Sequence, residues 1–412
     1  GEGNTYKPGS ALNYAGEATG EDPLKLSADE LAVVEAAKET CSKVIVLLNT
    51  GNNMMIADIA EGGSHEVDGI CYIGCPNDYQ TIGIANVLTG KVNATGALAS
   101  AFVRDHQSIP AVQNVGGDYF ADYEIVCRND DPRYPGKEIG NIGTGSFGGA
   151  DTYNGGMYIV EAEGIYVGYK YYETRYEDAV MEQGNASGNA GIFASKGDSW
   201  VYGEEVAYTF GYGMSYTTFE QALESVTYDA ATDSFTVLVK VTNTGNVAGK
   251  EVVQVYGQQP YTEFDRANAI EKASVQLVGF GKTNVLQPGE SETVSVTVDR
   301  KELTVYDEHV NKTYILEAGD YYLSVGLDAH DAVNNILAAK GYAPIAQETP
   351  AAEGAEEAET ATLTANGAAA MDAPGDAAKV YKFTVDSDDN ATYSVSGTGY
   401  KITNQFGDAD LN

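Results

Sequence analysis

Residues 67–102, VDGICYIGCPNDYQTIGIANVLTGKVNATGALASAF, leave few choices of architecture. The apolar run Gly69-Ile70-Cys71-Tyr72-Ile73 suits a buried strand, and the Gly/Pro/Asn-rich stretch Gly74–Asp78 turns the chain after it. Ile82, Ile84, Ala85 and Leu88 then recur at helical spacing until Gly90 stops the helix. Asn93-Ala94-Thr95-Gly96 turns the chain again before Leu98–Phe102. Strand, loop, helix and turn in this order predict one β/α unit of a mostly parallel sheet.

The preceding residues extend the alternation. Ser27-Ala28-Asp29-Glu30 is a capping box, and Leu31, Val33, Val34 and Ala37 continue the helix. Val44-Ile45-Val46-Leu47-Leu48-Asn49 reads as a strand covered on both faces. From Phe219 the pattern changes to period-2 alternation. Residues 234–242, 251–256, 275–280, 292–298 and 321–325 predict short strands, with turns at Asn243–Asn246 and Gln287–Glu290. That spacing predicts an antiparallel β-sandwich.

Residues 103–207 carry little periodicity apart from one aromatic island, Glu163–Thr174; a second, Phe210–Phe219, follows them. Both read as packing at a domain junction. Residues 343–378, Ala/Glu/Thr/Gly-rich without Lys or Arg, read as a flexible linker, and 379–396 as one further hairpin.

A formal charge of −36 and a pI near 4.2 argue against nucleic acid or an anionic membrane as partner, since the surface repels phosphates. Cys41, Cys71, Cys75 and Cys127 are too few for a disulfide framework and are expected as buried free thiols. Cys71-x-x-x-Cys75 lacks a second pair, and His65, His106, His309 and His330 show no metal or triad spacing, so no metal or cofactor is expected. Asp118, Asp122 and Glu124 read as a solvated acidic cluster. A phosphate-cradling Gly loop is missing after the strand at 44–49, which argues against nucleotide binding. No apolar run reaches the ~20 residues of a membrane helix. The chain begins at Gly1 rather than Met and is expected to be a piece of something longer.

Several stretches resemble glycoside hydrolase family 3, the β-glucosidase and β-xylosidase family. They are Val87-Leu88-Thr89-Gly90 with Asn93–Leu98, Glu163-Gly164-Ile165-Tyr166-Val167-Gly168-Tyr169-Lys170-Tyr171-Tyr172, and Phe210-Gly211-Tyr212-Gly213-Met214-Ser215-Tyr216. Residues 241–256 and 286–291 resemble the fibronectin type III-like domain of many family members, and 403–410 the lead into the catalytic barrel of members with reversed domain order. The resemblance implies a multidomain chain: an α/β sandwich (1–218), an all-β fibronectin type III-like sandwich (219–335), an acidic low-complexity linker (336–378) and a small β segment (379–412) leading to a (β/α)8 barrel absent here.

It also implies retaining hydrolysis of terminal β-D-glucosyl residues, with an Asp nucleophile in the barrel and a Glu acid/base on a Gly-Glu-Gly loop ahead of a Leu-Ser-x-x-Glu helix start. Gly1-Glu2-Gly3 ahead of Leu26–Glu30 makes Glu2 the candidate acid/base, with Glu17 and Glu21 as fallbacks. Asn4-Thr5-Tyr6-Lys7 departs from the family pattern and leaves the sugar contacts open. The expected partners are a β-glucoside or oligosaccharide and the barrel of the same polypeptide, with a homodimer left open. Without that barrel the chain is expected to be inactive. The compartment is not determined by these residues; a bacterial extracellular or envelope setting is favoured over the cytoplasm. The alternatives are a non-catalytic carbohydrate-binding or structural module, or a β-xylosidase or N-acetylglucosaminidase of the same family.

Overall fold

The computed structural model of the chain describes residues 22–111, 163–183, 201–344 and 371–402. Helix α1 (Ala28–Thr40) opens on the predicted capping box, with the Ser27 side chain accepting from the Glu30 amide and the Glu30 carboxylate accepting from the Ser27 amide. Strands β1 (Ile45–Leu48) and β2 (Gly69–Tyr72) pair in parallel, Ile45 opposite Gly69 and Leu48 opposite Tyr72. Helix α2 (Gln80–Leu88) follows, held at its start by Asn77, whose Oδ1 accepts from the Tyr79 and Gln80 amides. Gly90 at φ +70° ends it, a conformation glycine adopts without a steric penalty.

One expectation for this unit is corrected. Among the described residues β1 is covered on one face: Val46 and Leu48 join the cluster of Ile56, Ile59 and Phe102, while Ile45 and Leu47 are 52% and 39% exposed. Among the described residues the apolar run packs on alternate side chains only. Among the described residues the cysteines form no disulfide with one another, and they are not buried, against the expectation. Cys41 lies at the end of α1 and Cys75 in the turn after β2, both exposed, and Cys71 is partly buried; Cys127 lies outside the described residues.

Short strands β3 (Phe102–Val103) and β4 (Val206–Tyr208) pair antiparallel. Helix α3 (Tyr169–Met181) is buried from Tyr171 to Asp178, so its polar tips must find partners. Tyr172 meets Ser108 Oγ at 3.2 Å, the Tyr169 hydroxyl accepts from the Leu277 amide, and Tyr166 beside it donates to the Lys272 carbonyl. This is the junction packing expected of the first aromatic island.

The remaining strands form the predicted sandwich. One sheet has the order β5-β6-β9: β5 (Phe219–Asp229), β6 (Ser234–Asn243) and β9 (Ser291–Asp299). The other contains β7 (Val252–Gln258) and β8 (Gln276–Lys282), and a small hairpin joins β10 (Val305–Asp307) to β11 (Thr313–Ile315). β12 (Gly319–Gly326) lies beside β7 and leads into helix α4 (Ala329–Ala339); β13 (Val380–Val385) completes the order β13-β12-β7-β8. Val237, Val239, Val241, Val253, Val255 and Val296 fill the space between the sheets.

The expected division at residue 335 falls inside α4, and residues 371–376 pack against the body instead of continuing a linker. Residues 379–396 do not form a hairpin of their own. Tyr381, Phe383 and Val385 alternate onto the sandwich core, which draws β13 onto the open edge of β12. Residues 345–370, the middle of the expected linker, lie outside the described residues.

Candidate functional site

Glu2, Glu17 and Glu21 lie outside the described residues, as do Asp118, Asp122 and Glu124. The described residues do place the point where the acidic loop joins the body. Asp22 turns the chain, its Oδ1 accepting from the Leu24 amide at 2.9 Å and its carbonyl from the Lys25 amide at 3.1 Å. The Leu24 carbonyl then accepts from the Met55 amide at 2.7 Å, and Lys25 bridges Met55 in parallel. Met55 lies on the chain that leaves β1, so the loop returns at the carboxyl-end side of the parallel pair. Ligands of open α/β sheets bind beyond that end.

This corner is cross-linked by side-chain bonds. Asn53 Nδ2 donates to Ser100 Oγ and to the Ala101 carbonyl, and the His106 amide lies 3.4 Å from Met55 Sδ. His106 is buried, which lowers its pKa and favours the neutral ring; Asp22 and Asp105 partly offset this. Beyond β2, Ile73 donates its amide to the Leu48 carbonyl, and Tyr79 stands 85% exposed in the turn that follows.

The second aromatic island seats the sandwich on the α/β unit, as expected. The Leu98 amide donates to the Tyr212 carbonyl and its carbonyl accepts from the Gly211 amide, the Tyr216 hydroxyl donates to the Val87 carbonyl, and Thr217 donates to Asn243. A side chain at Gly213 would place Cβ 2.3 Å from the Gly96 carbonyl oxygen, so this approach requires glycine. A cleft of about 220 Å³ remains at the seam, lined in part by Thr95, Ser215, Lys250, Glu251 and Gln254.

Two ionic clusters, one buried and one partly exposed at Asp372, escaped the sequence reading. His330 on α4 places Nδ1 2.8 Å from Glu173 of α3 and Nε2 2.9 Å from Asp372. Its ring stacks on Tyr202 at 3.9 Å, and the Tyr202 hydroxyl donates to Glu173 at 2.5 Å. Burial opposes the charged ring, but the two carboxylates outweigh it and push His330 up to about 10. With both nitrogens engaged, the imidazolium has no lone pair with which to take a substrate proton. In the sandwich, Lys272 contacts Asp265 and Glu317, all three nearly inaccessible to water. The Lys272 cluster has no open face for proton transfer to a sugar, and the His330 cluster reaches solvent mainly through Asp372, whose side chain is 41% exposed. Among the described residues no group of His, Cys, Asp and Glu could hold a metal ion.

The family model for the glycosyl hydrolase family 3 C-terminal domain matches residues 6–216. The chain belongs to glycoside hydrolase family 3. A fibronectin type III-like domain matches residues 251–329, within the sandwich. Among curated relatives, a β-glucosidase of Ruminococcus albus is 27% identical over 311 residues, 74% of this chain and 25% of the relative. β-Glucosidase B of Emericella nidulans is 30% identical over 63% of this chain and 24% of its own length. An exo-α-(1→6)-L-arabinopyranosidase of Bifidobacterium longum is 27% identical over 77% of this chain and 32% of its own. Among solved structures, β-glucosidase 3B from Thermotoga neapolitana in complex with α-D-glucose superposes with a TM-score of 0.53 at 29% identity, over 80% of this chain and 34% of that one. This family 3 chain thus spans about a quarter to a third of the length of these relatives.

Proposed function

We propose that the chain is the acid/base-bearing portion of a retaining β-glycosidase acting on terminal β-D-glucosyl residues, with its nucleophile on a (β/α)8 barrel of the same polypeptide. The observation that carries this reading is the family 3 domain match over residues 6–216. The solved relative with glucose bound supports glucose as the sugar.

In the proposed cycle the barrel Asp attacks the anomeric carbon while the Glu2 carboxylic acid protonates the departing glycosidic oxygen. The Glu2 carboxylate then takes a proton from water as that water attacks the same carbon and releases the Asp. Glu2 serves both steps, so its replacement has a distinct signature. In the full-length enzyme, Glu2→Gln slows hydrolysis of alkyl glucosides by about 10²–10⁴-fold, and slows activated aryl glucosides far less in the glycosylation step, because their leaving groups need little proton donation. Equal losses on both substrate types, or none, would move the role to Glu17 or Glu21.

The 412-residue chain alone is expected to release no nitrophenol from an aryl β-glucoside, because retention needs two opposed carboxylates. Release that disappears on mutating a carboxylate of this chain would overturn the division of labour. A second reading concerns the sugar only: the arabinopyranosidase relative favours a parallel assay on aryl α-L-arabinopyranoside.

A further inference from the structure

We infer that residues 371–402 are a strap held by a preformed docking surface on the rest of the chain, so that the two parts stay together when the stretch between them is cut. The surface has two sections: the groove between α3 and α4, and the outer edge of β12.

In the groove, Met371 is 3% exposed and belongs to the same apolar cluster as Tyr176, Val180, Ile336 and Leu337. Asp372 follows, its carboxylate accepting from both His330 Nε2 and the Tyr176 hydroxyl, while its amide donates back to that hydroxyl at 2.9 Å. Gly375 presses on α4 so closely that a Cβ would lie 1.9 Å from the Asn334 carbonyl oxygen. The Asp376 amide donates to Asn335 Oδ1 at 2.7 Å.

Along β12 the docking becomes strand addition, in which the backbone supplies the ladder and alternate side chains the register. β13 pairs antiparallel from Val385 opposite Gly319 to Val380 opposite Ser324. Phe383 stacks on Tyr321 with ring centroids 5.2 Å apart and meets Phe235 at 4.7 Å. On the other face Lys382 and Thr384 both reach Asp320. Farther on, Asp389 and Leu316 exchange both backbone bonds, and the Tyr393 hydroxyl donates to Asp233 Oδ2 at 2.7 Å. The strap is therefore held at four separated places by apolar burial, a β ladder and charge-assisted hydrogen bonds. Its hold does not depend on the covalent connection through residues 345–370.

The test uses the full chain carrying a specific protease site within residues 350–365. After complete cleavage under native conditions, gel filtration at micromolar concentration is expected to return both pieces in one peak at the position of the uncut protein. The rate at which the C-terminal piece leaves is read by its replacement with an excess of fluorescently labelled piece. Asp372→Ala removes the strap's carboxylate from His330 Nε2 and the Tyr176 hydroxyl, leaving them Glu173 and Asn334, and is expected to speed release by about 10- to 100-fold; Phe383→Ala tests the sandwich section independently by the same readout. Separation of the wild-type pieces on the column would overturn the inference. So would a release rate unchanged by both substitutions.

Discussion

Replacing Lys272 by Met removes the cation shared by two buried carboxylates and leaves the methylene volume nearly intact. The Lys272 side chain is 2% exposed, that of Asp265 0% and that of Glu317 4%. The ammonium donates to Asp265 Oδ2 at 2.8 Å, to the Pro260 carbonyl at 2.7 Å and to Glu317. Removing one partner of a buried ion pair costs about 3–5 kcal/mol. Two carboxylates left together place this case in the upper half of that range. At ~2–4 °C per kcal/mol for a unit of this size, the melting temperature falls by about 8–20 °C.

The sign of the pH dependence follows from Glu317. Burial raises its pKa, Lys272 opposes this and Asp265 adds to it, with the net result of about 7 against an ordinary 4.5. Between those values the folded protein binds the extra proton, so stability present below 4.5 is lost as pH rises through about 7. Lys272→Met steepens the loss, because the opposing cation is gone. Calorimetry of wild type, Lys272→Met and Lys272→Met/Glu317→Gln at pH 5 and pH 8 reads all of this. The single variant should be hurt more at pH 8, and the double variant should recover part of the loss. Equal damage at both pH values, or a double variant no better than the single, would refute the argument.

Two further outcomes are expected. His330 titrates near 10 in the folded chain against an ordinary 6.5, so its contribution is complete below 6.5 and lost as pH rises through about 10. Wild-type melting temperature should therefore fall more steeply than that of His330→Gln between pH 8 and pH 10.5. Among the described thiols, Cys41 and Cys75 should react with a disulfide reagent in the native protein, while Cys71, whose pKa burial raises, should lag by at least about tenfold. Stopped-flow absorbance with single-cysteine variants checks it.

What could be read from the residues alone was whatever depends on near neighbours in the chain. The β1 and β2 runs, the Ser27–Glu30 box and the alternating strands of the sandwich all declare themselves within a dozen residues. The two aromatic islands also read correctly as junctions, because tyrosines bury well only where their hydroxyls find partners. The ionic clusters could not be read this way. His330 meets a carboxylate 157 positions away and another 42 positions away, and no spacing rule joins such residues. The strap was misread for a related reason. Residues 380–385 alternate as any strand does, but whether they pair with their own neighbours or with β12 is decided by an open edge elsewhere. As for the candidate site, the Asp22 turn is local, the contact of Leu24 and Lys25 with Met55 is not and went unread, and Glu2 stands on motif resemblance.

Because β13 completes a sheet whose other strands precede it by a long stretch of chain, synthesis on the ribosome imposes a delay. The roughly sixty residues between Gly326 and Val385 take on the order of 3–12 s to make at ~5–20 residues per second. During that time the outer edge of β12, Gly319–Ser324, has no strand to pair with, and an open edge invites pairing with another nascent chain. Asp320 places a negative charge on that edge before Lys382 and Thr384 exist to meet it. Neighbouring copies on a polysome would thus present like charges to one another until each has made its own closing strand.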